Sequence, residues 1–219
     1  MMDPPLTSAG DDGADRILMN NPDLIIFDLG RVLVDFDFRL VIKRLKRYTV
    51  FSEKDIRRYF MQTPLWGAFE RGEVEPKDFF SSLTEELKLQ NLTFQEFAPL
   101  WNSIFTEKHD TVSILARLRG RYRMALLSNV NIMHWEHIHE THDFIQWFDH
   151  PVASFEVGIR KPDPDIYRTT LHRAGVSPPK AVFIDDVESH VLSARSLGIQ
   201  AHRFISARQL VCDLDGILS

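Results

Sequence analysis

The chain has 219 residues, 44% hydrophobic and 26% charged, with a formal net charge of −5. This is the composition of an ordinary globular protein, and its acidic balance gives no electrostatic reason to expect nucleic acid or an anionic membrane as partner. The longest apolar runs fall far short of the roughly 20 residues that cross a bilayer. The single cysteine, Cys212, leaves no intrachain disulfide and suits a reducing, cytoplasmic setting.

In chain order, positions 1–21 carry acidic residues and no apolar core segment, which reads as a disordered tail and not as a leader. Leu24-Ile25-Ile26-Phe27 is a short apolar run that stops at Asp28, so a buried strand is predicted over 23–28. Positions 39–48, 53–61, 76–88 and 93–104 then read as helices, with Phe79, Phe80, Leu83 and Leu87 at helical spacing. Beyond 108 the pattern alternates. Helices are predicted at 110–119, 131–141, 164–174 and 188–197, and strands at 122–127, 151–154, 181–184 and near 200–204. Such alternation predicts an α/β fold, a Rossmann-like doubly wound parallel sheet. An inserted α-helical cap interrupts it, giving a core of 22–38 and 108–219 and a cap of 39–107. Ligands of such sheets bind beyond the carboxyl ends of the strands.

The strand ends carry the chemistry. The first stops at Asp28, the second at Ser128-Asn129 and the fourth at Asp185-Asp186, and Lys161 sits in the proline-rich turn Arg160-Lys161-Pro162-Asp163-Pro164. Each has a plainer reading when taken singly: Asp28 as a turn or helix cap, Lys161 as a loop charge, Ser128 as a helix N-cap. The last is compatible with phosphate binding, because a helix N-terminus attracts anions.

Together, Ile26-Phe27-Asp28-Leu29-Gly30, Leu127-Ser128-Asn129, Gly158-Ile159-Arg160-Lys161-Pro162-Asp163 and Phe183-Ile184-Asp185-Asp186 resemble, in order, the four motifs of the haloacid dehalogenase superfamily. Over about 24–205 the chain is similar to its helical-cap phosphatases, including sugar-1-phosphate phosphatases and the phosphatase domain of soluble epoxide hydrolase. The resemblance implies a phosphatase acting on a small phosphorylated metabolite, with a sugar phosphate as one candidate. Asp28 would be the nucleophile that forms an aspartyl-phosphate. Mg2+ would be held by Asp28, the Gly30 backbone carbonyl and Asp186, with Asp185 beside it. Ser128 and the Asn129 segment would bind the phosphoryl oxygens, and Lys161 would place its charge on nucleophile and phosphate together.

Two positions depart from the family pattern. Gly30 stands where many family phosphatases carry a second Asp as general acid and base, a loss of on the order of 10² to 10⁴ in rate for a poor leaving group. His190 stands where Asn or Asp is usual; it either supports Asp186 or is a plain helix-face histidine. Asn131 and His134 fall in the loop after the second motif and are substrate-side candidates, with His134 as a substitute proton donor. A zinc site among His134, His137, His139 and His142 is disfavoured, because the two helical pairs point apart. In the cap, Trp66, Phe69, Glu70 and Arg71 resemble the loop that faces the active site. Two alternatives stay open: a catalytically weak or non-enzymatic relative that binds a ligand or partner, and a 2-haloacid dehalogenase. The sequence sets no oligomeric state.

Overall fold

The computed structural model describes residues 22–214, so the tail expected over 1–21 lies outside the described residues. In chain order the elements are β1 (Leu24–Phe27), β2 (Val34–Phe36), α1 (Phe38–Leu45), α2 (Glu53–Gln62), α3 (Leu65–Glu70), α4 (Pro76–Glu86), α5 (Phe94–Asn102) and β3 (Phe105–Glu107). There follow α6 (His109–Leu118), β4 (Met124–Ser128), α7 (Ile132–Thr141), β5 (His150–Ala153), α8 (Ser154–Val157), α9 (Pro164–Ala174), β6 (Ala181–Asp185), α10 (Glu188–Ser196), β7 (Gln200–Arg203) and α11 (Ala207–Asp213).

Five strands form one parallel sheet in the order β5-β4-β1-β6-β7. Both faces of a parallel sheet are covered by helices, so its strands read as unbroken apolar runs and not as alternation. Ile25, Phe27, Leu126 and Ile184 point to the layer formed by α6, α7 and α11, where Leu115, Ile138 and Leu210 meet them. Leu24, Ile26, Leu127 and Phe183 point to the opposite layer of α9 and α10, against Tyr167, Leu171 and Val191. The fold is thus the expected doubly wound α/β sheet.

Helices α1 to α5 all lie between β1 and β4 in sequence and share a separate aromatic-rich core around Phe69, Phe79, Phe97 and Trp101. Helices α2 and α5 are opened by capping boxes, Ser52 with Asp55 and Thr93 with Glu96, each satisfying two otherwise unpaired backbone donors. A two-stranded antiparallel ribbon, β2 with β3, brackets this helical segment and sets Phe36 opposite Phe105. Three stretches not expected to be helical are so, α3, α8 and α11, and β2 and β3 are strands. Three-residue strands and helices of four to seven residues are too short to show a period. No helix among the described residues is long and apolar enough to cross a membrane.

Candidate active site

Because β4, β1 and β6 are neighbours, Phe27 lies opposite both Leu126 and Ile184. One step further along β1 and β6, and two along β4, Asp28, Asp185 and Ser128 emerge at the carboxyl edge. Lys161 closes the group from the turn before α9. Its Nζ donates to Asp28 Oδ1 at 2.6 Å, Asp185 Oδ2 at 2.7 Å and the Leu127 carbonyl at 2.8 Å. An ammonium has three donors, so Lys161 is saturated. Its side chain is 1% exposed. Burial opposes the charge, but the two carboxylates outweigh it and push the lysine above the usual ammonium range.

The three acids stand in different environments. Burial pushes Asp28 up to about 7, with Asp185 adding to the rise and Lys161 working against it. Asp185 is buried too, yet Lys161 and His190 outweigh that and hold it at about 2. It is also fully engaged: it accepts from Lys161, from the Val187 backbone N–H at 2.8 Å, and from His190 Nδ1 at 3.0 Å to each oxygen. His190 therefore holds Asp185, not Asp186. Asp186 is only half-buried, and its carboxyl is raised by burial and by the Asp185 charge. Oxygens of Asp28, Asp185 and Asp186 lie within 4.8 Å of one another. Among the described residues no histidine joins a metal-ligating cluster. The all-oxygen donor set suits a hard divalent cation. Three carboxylates against a single buried ammonium also leave a negative excess that such a cation would balance.

The loop after β4 is pinned on both sides. Asn129 Nδ2 donates to the Lys161 carbonyl at 2.9 Å, and its Oδ1 accepts from the Lys161 backbone N–H at 2.8 Å. The side chain is thus a clamp that holds the lysine turn. Asn131 caps α7, accepting from the His134 N–H at 3.1 Å, and its Nδ2 lies 3.0 Å from His134 Nδ1. His134 Nε2 faces the Trp101 carbonyl at 3.3 Å. With burial pushing its pKa down to about 3, His134 is a neutral imidazole that accepts at Nδ1 and donates at Nε2. It lines the pocket but holds no proton free for transfer.

Gly30 lies two residues past Asp28, and a Cβ added there would sit 3.1 Å from Phe36 Cε1. The aromatic ring of β2 thus occupies the space that a larger residue at 30 would need. Of the helical residues singled out by sequence, Trp66 lines the pocket, while Phe69 stacks on Phe79 in the helical core. Arg71 pairs with Glu73 on the surface. Glu70 is buried and ion-paired with Arg160 Nη2 at 2.7 Å, although the geometry misses hydrogen-bond alignment. Sequence reasoning missed Ser154, whose hydroxyl accepts from the Val130 N–H at 3.0 Å and donates to the Glu70 carbonyl at 2.5 Å. No local signal marks a serine whose partners lie 24 and 84 positions away.

A family model described as haloacid dehalogenase-like hydrolase matches residues 22–198. The chain belongs to that family. The chain is similar to a D-ribitol-5-phosphate phosphatase from Bacteroides thetaiotaomicron, 26% identical over 183 residues, covering 80% of this chain and 88% of that one. A sesquiterpene phosphatase from Aspergillus oryzae is 26% identical over 175 residues, covering 80% and 85%. Among solved structures, a haloacid dehalogenase family enzyme from Bacteroides thetaiotaomicron in complex with magnesium and inorganic phosphate matches with a TM-score of 0.75. It is 25% identical, covering 84% of this chain and 94% of that one.

Proposed function

We propose that this haloacid dehalogenase-like hydrolase is a Mg2+-dependent phosphatase that removes phosphate from a small monoester through a phosphoenzyme on Asp28. The observation that carries the reading is the single buried Lys161 ammonium shared by Asp28 and Asp185, with the less engaged Asp186 carboxylate beside them. An Asp28 oxygen forms a bond to phosphorus as the ester P–O bond breaks, and the departing oxygen takes its proton from water. A second water then attacks phosphorus, which releases inorganic phosphate and restores the Asp28 carboxylate.

On this reading Asp28, Asp186 and the Gly30 carbonyl hold Mg2+, which supplies positive charge to the phosphoryl oxygens. Asp185 keeps Lys161 in place. The Ser128 hydroxyl and the α7 N-terminal segment from Asn129 to Asn131 receive the phosphoryl group. The helical segment serves as the cap that selects the leaving group, and the protein works in the cytoplasm, in keeping with its free Cys212. A 2-haloacid dehalogenase would leave Asp186 without a role.

The test is phosphate release from p-nitrophenyl phosphate with Mg2+, with chelator, and with Asp28→Asn. This leaving group needs little protonation, so the glycine at 30 does not mask activity. Turnover that requires Mg2+ and is lost in Asp28→Asn is the expected result. Absence of turnover, with Mg2+-dependent phosphate binding retained, would favour a non-enzymatic ligand-binding protein instead.

A further inference from the structure

The chemistry of the cavity over the catalytic edge separates substrate classes that the site residues alone do not. It has a volume of about 80 Å³ and reaches Gly30 and Ser128 at its floor. Its walls are Phe36, Phe38, Trp66, Ile104, Phe105 and Ile138. The rings lock together: Phe38 meets Trp66 edge-on at 5.2 Å between centroids, and Phe36 meets Phe105 at 6.5 Å.

The polar groups on the lining are already committed. His134 is neutral, with one nitrogen on Asn131 and the other on Trp101. Asn129 has given both ends of its amide to the Lys161 backbone. Glu70 is held by its ion pair with Arg160 Nη2 at 2.7 Å. Of the Ser128, Asn129, His134 and Glu70 side chains on the lining, Ser128, at the phosphate end, is the one with neither a hydrogen bond nor an ion pair to the protein. A polyol leaving group would bury hydroxyls with no partner, and each unmet hydroxyl weakens binding roughly 5- to 100-fold. An alkyl or aryl group loses nothing polar and gains from leaving water.

We propose that the substrate is the phosphate monoester of a compact apolar alcohol or phenol, with a leaving group of roughly five to eight non-hydrogen atoms, and not a sugar phosphate. This rests on the phosphatase reading of the same site. Phe36 ties the two together: the ring that walls the cavity also fills the space beside Gly30, so the apolar pocket and the missing second Asp are one design.

The experiment compares n-pentyl phosphate with ribitol 5-phosphate, which have the same carbon count and differ in hydroxyls, using the full chain with Mg2+. Acetyl phosphate, whose leaving group barely enters the cavity, serves as the control. The expected result is kcat/KM on the order of 10²-fold or more higher for pentyl phosphate, with that ratio shrinking about tenfold in Ile104→Asn. Binding read by calorimetry should follow, with n-pentylphosphonate at least tenfold tighter than methylphosphonate. Equal rates, or a preference for ribitol 5-phosphate, with acetyl phosphate turned over, overturn the substrate class and leave the phosphatase reading standing. Failure with all three phosphates overturns the phosphatase reading and this inference with it.

Discussion

Lys161 is the residue on which the site turns, because its three donors hold two carboxylates and a carbonyl that would otherwise be buried against each other. Replacing it leaves uncompensated like charges at the sheet edge, a situation worth about 3–5 kcal/mol. We expect Lys161→Met to lower stability by that amount in urea unfolding, and the added change Asp185→Asn to restore a large part of it. His134 makes a different prediction. Burial holds its folded pKa at about 3, below the ordinary histidine value of 6.5, so the unfolded chain binds the extra proton first. Stability is therefore full above pH 6.5 and falls as pH drops through the window from 6.5 to 3. The loss is about 2 kcal/mol by pH 5. His134→Gln should flatten that part of the pH profile, measured as the change in unfolding free energy between pH 7 and 5.

At the scale of elements, the loop after β4 and the turn before α9 are two backbone segments joined by one side chain. Asn129→Ala removes both of its hydrogen bonds to Lys161, at roughly 1 kcal/mol each. The expected signs are about 2 kcal/mol of destabilisation and faster amide hydrogen exchange at Lys161. The elements that hold the acids of the site were legible in the sequence, because a parallel strand buried on both faces must be apolar throughout and its polar successor marks the carboxyl edge. Asp28, Ser128 and Asp185 were singled out on that ground, while the roles expected of them came from the order of the four motifs. The side-chain partners of their neighbours were not legible. Asn129, Asn131 and His134 read as phosphate- and substrate-side groups, and in the structure their side chains are also bound to Lys161, to one another and to Trp101. Those partners lie up to 33 positions away, beyond the reach of any local pattern. The ribbon of β2 and β3 escaped for the related reason that each strand's pairing partner is distant and each strand is three residues long.

At the scale of the whole molecule, the helical segment must sit on the sheet in one pose, since the cavity walls come from both. Its seat is a close backbone contact. Gly72 has a φ of +69°, and a Cβ there would collide with the Phe155 carbonyl oxygen of α8. Next to it, Glu70 reaches Arg160, and Ser154 at the start of α8 reaches the Glu70 carbonyl. The contact therefore runs from α3 directly to the turn that carries Lys161. Gly72→Ala combines a left-handed backbone cost with overpacking, together roughly 2–4 kcal/mol. Part of that is relieved by lifting α3 away from α8, which moves Trp66 and opens the cavity while the β1, β4 and β6 edge stays assembled. The expected outcome is thus asymmetric. In Gly72→Ala, kcat/KM for n-pentyl phosphate falls at least tenfold more than kcat/KM for acetyl phosphate, because only the former depends on the walls. Equal losses on the two substrates would mean that the seat supports the catalytic edge itself and not the pocket above it.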